Sequence, residues 1–298
     1  MSISLQTRPV AGVVTAHRQT EGAGFVVRRP FPSASLEQID PFLLLDEMGP
    51  TDYAPGKAVG APDHPHRGFE TVTYLLDGAM EHRDSTGGHG VIVPGGVQWM
   101  TAGSGVVHSE MPTTEIQRNG GRVHGFQLWV NLRAGDKMIR PRYQGFGPDE
   151  LATTSTAGGS TVRVVAGEVG GVKGPVESTS PVTYAHVTVA PGDSIQWTPA
   201  EGHTALVHVF GGAVWVNDVE AVDGQMVVLE RSAGSIVVRS DADAVAVAEV
   251  LLLGGQPLGE PIARYGPFVM NTRDEIAQAF DDYEAGRLGS IAPLDNAG

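Results

Sequence analysis

The chain has 298 residues, a length that suggests about two domains. Cysteine is absent, which excludes disulfide bridges, thiolate-ligated zinc, cysteine-held iron–sulfur clusters and thiol catalysis. The net charge of −14 is uneven: residues 1–150 carry 13 Lys/Arg against 16 Asp/Glu, and residues 151–298 carry 7 against 18. Such a chain would repel phosphate backbones, so we expect no autonomous nucleic-acid binding.

The longest apolar stretch, residues 244–253, is interrupted by Glu249 and is too short to span a membrane. The opening segment Met1–Arg8 lacks the charged start and apolar core of a signal peptide. We therefore expect a cytoplasmic protein without a membrane partner.

Short segments rich in β-branched and aromatic residues recur along most of the chain, separated by Gly, Pro and Asp turns about every 8–12 residues. The predicted strands are 71–76, 90–93, 123–132, 161–165, 185–189, 205–210, 213–216, 226–229, 236–238 and 244–253. This rhythm predicts an all-β sandwich or barrel architecture. It breaks near Asp136–Thr156, where polar residues, Pro and Gly replace the apolar alternation, and we place a linker there.

One helix is predicted, at about residues 272–286. Thr272 and Glu275 have the spacing of a capping box, and apolar residues follow at 276, 280 and 283. Such an amphipathic helix must cover an apolar surface. It would either cover its own domain or clasp the interface between the two domains.

Two histidine-containing pairs carry the strongest chemical signal. Residues i and i+2 of a strand point to the same side, so His64 and His66 would present their imidazoles together, as would His108 and Glu110 their side chains. A single His-x-His pair is also typical of surface or core histidines. Two such pairs on facing strands would surround one point with three imidazoles and a carboxylate, a set that suits iron, manganese, nickel, copper or zinc.

The remaining histidines lack such a pattern. His82 and His89 flank a polar turn and are expected to be exposed. His203 and His208 are five residues apart, so in a strand they face opposite sides, and no His-x-Glu pair follows them. We therefore expect the C-terminal half to bind no metal.

Specific sequence strings resemble known motifs. The segment 64–78, His-x-His-x3-Glu followed by a glycine, resembles the first cupin motif, and Gly88-x5-Pro-Gly-Gly resembles the second. The wider strings at 64–72, 98–105, 108–112, 127–132, 260–262 and 266–272 resemble the pirin family over nearly the whole chain.

The resemblance implies an all-β fold of two tandem cupin-type antiparallel β-barrels with a short C-terminal α-helix. Residues 1–140 would form a metal-binding domain, and residues 141–298 a cupin-like domain without metal, ending in the helix. One divalent transition metal per chain is implied, with Fe(II) the choice on resemblance and Ni, Mn, Cu or Zn as alternatives.

Trp99 stands where the general second motif has a histidine, and this changes the implied ligand set. In pirin-like chains the ligands correspond to His64, His66, His108 and Glu110. Glu70, the glutamate ligand of the general motif, would then support a histidine N–H or Arg67 instead.

The resemblance leaves several functions open. The first is a quercetin (flavonol) 2,3-dioxygenase, with a flavonol-like substrate and O2 as partners and Glu110 as a candidate general base. Gln127, an amide on an apolar strand, would then line a pocket around the metal together with aromatic and methionine side chains that in a β-barrel also commonly fill the core: Phe69, Trp99, Met100, Met111, Phe126 and Trp129. The second is a non-enzymatic, metal-dependent regulator that docks onto a transcription factor or metabolic enzyme. A structural bicupin with an unrelated ligand is the third.

Overall fold

The structure of the protein is a computed structural model that describes residues 6–21 and 24–293. Its strands before residue 147 are β1 Val10–Thr15, β2 His17–Glu21, β3 Phe25–Phe31, β4 Phe42–Tyr53, β5 Ala61–His66, β6 Phe69–Asp77, β7 Met80–Asp84, β8 His89–Ile92, β9 Val97–Thr101, β10 Val106–Pro112, β11 Gly121–Asn131 and β12 Arg142–Phe146. The later strands are β13 Ala152–Ser155, β14 Thr161–Ala166, β15 Glu168–Val169, β16 Val172–Lys173, β17 Val182–Val189, β18 Ser194–Trp197, β19 Thr204–Gly211, β20 Ala213–Val216, β21 Val219–Val222, β22 Gln225–Leu229, β23 Ile236–Arg239, β24 Ala248–Gly255, β25 Ala263–Tyr265 and β26 Phe268–Met270. The two α-helices are α1 Thr114–Asn119 and α2 Arg273–Glu284. The all-β prediction is confirmed.

The chain folds into two compact units. The first, which we call the histidine unit, consists mainly of Leu43–Pro148 and also contains β25, β26 and α2. The second, the valine unit, consists mainly of Asp149–Pro257 and also contains β1. The predicted ranges 1–140 and 141–298 are contiguous. In the structure, residues 6–17 belong to the valine unit and residues 258–293 belong to the histidine unit. The division at Pro148 falls inside the predicted linker, which contains β12 and β13.

Each unit contains one seven-stranded and one four-stranded sheet. In the histidine unit the strand orders are β12-β9-β6-β11-β4-β3-β2 and β5-β10-β7-β8. In the valine unit they are β1-β22-β19-β24-β17-β14-β13 and β18-β23-β20-β21. Apolar side chains alternate inward along these strands because successive residues point to opposite faces. In β17, for example, Ala185, Val187 and Val189 are buried, whereas His186 and Thr188 between them are partly exposed. The valine unit's core is formed mainly by valines from these strands.

No helix among the described residues has the length and apolar character needed to cross a membrane. Helix α2 begins with the predicted capping box: Glu275 N–H donates to Thr272 Oγ1 at 3.2 Å, and Thr272 N–H donates to Glu275 Oε2 at 2.9 Å. Its buried residues Ile276 and Ala279 pack with Phe268 of β26. The predicted helix is confirmed, and its apolar face covers part of the histidine unit.

Two polar contacts attach this C-terminal segment to the chain that follows β5. Arg67 forms a 2.7 Å ion pair with Asp282 of α2, and both side chains are largely buried. The ammonium of Lys137 is buried and donates to Gly68 O at 2.7 Å and Val269 O at 3.1 Å. Burial lowers the pKa of Lys137 to about 8. Residues 67 and 68, which follow the paired histidines of β5, are therefore linked to α2 by the ion pair and to β26 through the ammonium of Lys137.

We expect Asp282→Asn to lower the free energy of unfolding by about 1–3 kcal/mol, because Arg67 would lose a charged acceptor in a largely buried position. Hydrogen bonds from Arg67 and Gln278 lower the pKa of Asp282 to about 2, below the value near 3.9 of an unfolded chain. Its stabilising contribution is therefore complete above pH ~4 and declines as the pH falls towards ~2. The difference between wild type and variant should be the same at pH ~7 and ~5 and smaller at pH ~3, as measured by urea unfolding.

The matched control is Asp281→Asn, which removes the neighbouring, exposed carboxylate of the same helix. An equal loss of stability in both variants would show that general helix electrostatics, and not the pair with Arg67, is responsible.

Candidate metal centre

Strand pairing positions the first three predicted ligands. β10 runs antiparallel to β5, with His108 opposite His64 and Val106 opposite His66. β7 pairs with the other edge of β10, so that Asp84 lies opposite His108 and His82 opposite Glu110. The predicted pairs therefore come from adjacent strands of one sheet, and not from strands that face each other across the barrel.

His64, His66 and His108 form a compact group. Each offers a ring nitrogen, and these atoms all lie within 4.8 Å of one another. The ring centroids of His64 and His108 are 4.3 Å apart, and that of His66 is 4.7 Å from His64 and 4.9 Å from His108. Among the described residues, this is the one group of His, Asp or Glu side chains that could hold a metal ion in this way.

Burial keeps the imidazoles of His66 and His108 neutral. Burial lowers the pKa of His66 to about 3, and the neighbouring His64 adds to the decrease. Burial also lowers the pKa of His108 well below its usual range. A neutral imidazole is the form that binds a metal ion, so these two rings do not need to lose a proton at neutral pH.

The hydrogen bonds of the rings leave their Nε2 atoms available. His64 Nδ1 lies 2.7 Å from Pro62 O and His66 Nδ1 lies 3.2 Å from Pro267 O. A carbonyl oxygen only accepts, so both rings carry their proton on Nδ1. His108 Nε2 is buried and has no hydrogen-bond partner among the described residues. Three imidazole nitrogens with this arrangement fit a divalent transition metal.

Glu110 is not a member of the three-histidine group. The register of β5 and β10 is interrupted by an irregularity between His108 and Glu110. Glu110 Oε1 accepts hydrogen bonds from Thr73 Oγ1 at 2.5 Å and from Gln98 Nε2. Both contacts are to the same oxygen atom. Glu110 as a metal ligand stays a prediction.

The residues predicted to support the site have other contacts. Glu70 accepts a hydrogen bond from Thr101 Oγ1 at 2.7 Å. Arg67 Nε donates to Ser104 O at 2.7 Å, in addition to its pair with helix α2. The Oε1 atom of Gln127 lies 3.3 Å from Thr73 Oγ1, the hydroxyl that also contacts Glu110.

The aromatic residues expected around the metal are partly there. The ring centroids of Phe69 and Trp129 lie 5.0 and 5.1 Å from that of His66. Arg264 stacks over the ring of Trp129, with its Cζ 4.8 Å from the ring centroid. Met111, which was also expected to line the pocket, is 36% exposed. Apolar rings thus border the histidine group on the side of His66.

The expectation that His82 and His89 are exposed is right for His89 and wrong for His82. His82 is fully buried, stacked on Tyr143 at a centroid distance of 4.5 Å. Its Nε2 is 3.1 Å from Asp84 Oδ2 and its Nδ1 is 3.5 Å from His108 Nδ1. The sequence does contain a signal for this pair, since His82 and Asp84 have the same i, i+2 relation as the predicted ligands.

The carboxylate of Asp84 is fixed in place. Its Oδ1 accepts from Thr86 N–H at 2.8 Å, Thr86 Oγ1 at 2.6 Å and Gly88 N–H at 2.9 Å. Burial raises the pKa of Asp84, but hydrogen bonds from His82 and Thr86 outweigh burial and hold that pKa well below its usual range. Asp84 is therefore an ionised acceptor behind His82.

The histidines of the valine unit are not part of the metal-capable group found among the described residues. His186 Nε2 lies 2.7 Å from Glu249 Oε2, and His208 is buried. A valine unit without metal stays a prediction.

Comparisons with known proteins agree with this architecture. The Pirin family matches residues 24–130, and the Pirin C-terminal cupin domain matches residues 184–289. A pirin-like protein of Caulobacter vibrioides is 43% identical over 288 residues, which cover 95% of this chain and 100% of that protein. Human pirin is 39% identical over 284 residues, covering 93% and 92% of the two chains. A crystal structure of quercetin 2,3-dioxygenase from Acinetobacter baumannii superimposes with a TM-score of 0.89 at 39% identity, covering 96% of this chain and 100% of that chain.

We expect elemental analysis of the purified protein to find about one transition metal per chain. His66→Ala should abolish metal binding, because two imidazoles do not make the site, and should leave the circular-dichroism spectrum of a folded β protein. His89→Ala, which removes an exposed histidine, is the matched control and should keep its metal. Metal retained by a His64→Ala/His108→Ala double variant would contradict the assignment, and so would an unfolded metal-free protein.

Proposed function

The chain belongs to the pirin family, and from this premise we propose that it is a metal-dependent dioxygenase of the quercetin 2,3-dioxygenase type. The observation that carries the proposal is the group of three histidines with available Nε2 atoms, bordered by Phe69 and Trp129. The similarity to a quercetin 2,3-dioxygenase structure over 96% of the chain supports the same reaction class.

In the proposed reaction a flavonol takes up one molecule of O2. The heterocycle opens, both atoms of O2 are retained in the ester-acid product, and one ring carbon with its oxygen leaves as carbon monoxide. A divalent metal held by His64, His66, His108 and Glu110 would supply Lewis-acid polarisation of the substrate oxygens and redox chemistry with O2.

Glu110 is the residue that we propose as general base for the substrate hydroxyl. Two donors, from Thr73 and Gln98, are directed at its Oε1 atom, which leaves Oε2 as the one oxygen for both proposed roles, as metal ligand and as base, so the base role requires that the bond of Oε2 to the metal be labile. The side chain is 7% exposed, so little water competes for that oxygen. Positioned proton transfer of this kind contributes about 10²–10⁴-fold to a rate.

We propose Fe(II) as the resident metal. The donor set itself is compatible with nickel, manganese, copper and zinc as well, because affinity follows the Irving–Williams order while loading follows availability. Reconstituting metal-free protein with each ion, followed by O2 consumption with quercetin, identifies the ions that support turnover. If none of them does, the regulator hypothesis from the sequence becomes the better explanation. The cytoplasmic location stays a prediction.

We expect Glu110→Gln to lose flavonol cleavage by about 10²-fold or more per bound metal, because the amide keeps the shape and an oxygen donor but cannot take the proton. The measurement is O2 consumption with quercetin, normalised to metal content. Glu115→Gln, an exposed glutamate in α1, is the control and should behave as wild type. Activity per metal within a few-fold of wild type in Glu110→Gln would remove Glu110 from the role of base.

A further inference from the structure

His108 differs from the other two histidines of the group in what lies behind its ring. His64 and His66 direct Nδ1 at backbone carbonyls, which can only accept a hydrogen bond. His108 directs Nδ1 at the Nδ1 atom of His82, 3.5 Å away. An imidazole nitrogen can donate or accept, so this contact alone does not decide where the proton of His108 resides.

Asp84 determines the position of this proton, although it contacts His82 and not His108 itself. Its Oδ2 lies 3.1 Å from His82 Nε2, and a carboxylate can only accept. A neutral His82 must therefore carry its proton on Nε2, which leaves its Nδ1 as an acceptor. His108 then donates from Nδ1, and its Nε2, buried without a partner among the described residues, keeps a free electron pair.

We propose that Asp84 and His82 are positioning residues that fix His108 in the Nδ1–H tautomer and so reserve its Nε2 for the metal. In this arrangement they do for His108 what the carbonyls of Pro62 and Pro267 do for the other two rings. The inference rests on the metal site of the proposed function, but not on the flavonol reaction.

The series of contacts from Asp84 through His82 to His108, which we call the relay, is held in one orientation by its surroundings. His82 stacks on Tyr143 with the ring planes 20° apart, and its contacts from Nε2 to Asp84 and from Nδ1 to His108 distinguish this orientation from the flipped one. Asp84 cannot exchange its two oxygens, because Oδ1 already accepts from Thr86 and Gly88. Each proton position along Asp84, His82 and His108 is therefore set by its neighbour.

The substitution Asp84→Asn should reverse the relay. The asparagine must keep its oxygen towards the donors of Thr86 and Gly88, which places its NH2 group against His82 Nε2. His82 would then move its proton to Nδ1, His108 would have to accept there, and the proton of His108 would occupy Nε2. The atom proposed for the metal would be blocked although no ligand has been changed.

His82→Phe is the second variant. Phenylalanine keeps the aromatic contact with Tyr143 but neither donates nor accepts, so His108 is free to choose either tautomer. Loss of a partner that orients a ligand typically costs 10–100-fold in metal affinity. Asp84→Asn should weaken binding more than His82→Phe, because it enforces the wrong tautomer. A merely structural role predicts the opposite order, since His82→Phe removes the larger buried polar group.

Glu81→Gln provides the matched control. Glu81 lies on the same strand β7 and accepts from another histidine, His89, at 3.0 Å, but this pair is partly exposed and points away from the histidine group. The same carboxylate-to-amide change is thus made beside a histidine that has no role in the proposed site. We expect its metal affinity to stay within about two-fold of wild type.

Two measurements test the proposal. Long-range 1H–15N NMR of the metal-free protein at neutral pH reports the tautomers, and we expect Nδ1–H at His108 in wild type and Nε2–H in Asp84→Asn. Titration with Ni2+ against a competing chelator reports the affinities, expected to decrease in the order wild type, His82→Phe, Asp84→Asn. His108 with Nε2–H in wild type would overturn the proposal, as would equal Ni2+ affinities of Asp84→Asn and Glu81→Gln.

Failure of the proposed function looks different. Wild-type protein that binds Ni2+ with His108 as Nδ1–H, but does not cleave quercetin with any metal, would contradict the dioxygenase and leave the relay intact. If Asp84→Asn does not fold, the wild-type tautomer and the affinity of His82→Phe relative to Glu81→Gln still decide.

Discussion

Antiparallel pairing of β5 with β10 determines the spacing of the three histidines, and the chemistry of the histidine unit depends on it. His64 and His66 share a face because they are two residues apart, and the register places His108 directly across from His64. A slip of one residue would turn both imidazoles of β5 to the opposite face of the sheet. The candidate metal site therefore depends on the register of the sheet as well as on the identity of the residues.

Burial gives this arrangement its chemical character. A buried imidazole is costly to charge, so the rings of His66 and His108 are neutral and each keeps one proton and one free electron pair. The remaining question for each ring is which nitrogen holds the proton, and the protein answers it with fixed acceptors. Two of these are carbonyl oxygens, and the third is the imidazole of His82 backed by a carboxylate. The hydrogen-bond acceptors at the Nδ1 atoms thus determine that the Nε2 atoms are available to a metal.

Much of this could be predicted from the sequence because it depends on local patterns. The alternation of apolar residues predicted most strands, and the spacing of Thr272 and Glu275 predicted the start of α2. The His64-x-His66 pair needed only the period of a strand. The prediction that His82 is exposed was wrong because the ring packs against Tyr143 of β12, which lies 61 positions later in the sequence. The location of β1 in the valine unit was also out of reach, since alternation indicates a strand but does not name its partner.

The carbonyl that orients His66 belongs to Pro267, 201 residues further along the chain. During synthesis the three histidines of the candidate metal site emerge long before this oxygen exists. The same holds for Asp282, the partner of Arg67, which is translated later still. An emerging chain therefore contains His66 without the carbonyl that orients it, whereas the partners of His64 and His108 are already translated. The order of translation makes the completed centre one of the last features to form, and a prematurely terminated chain would lack it.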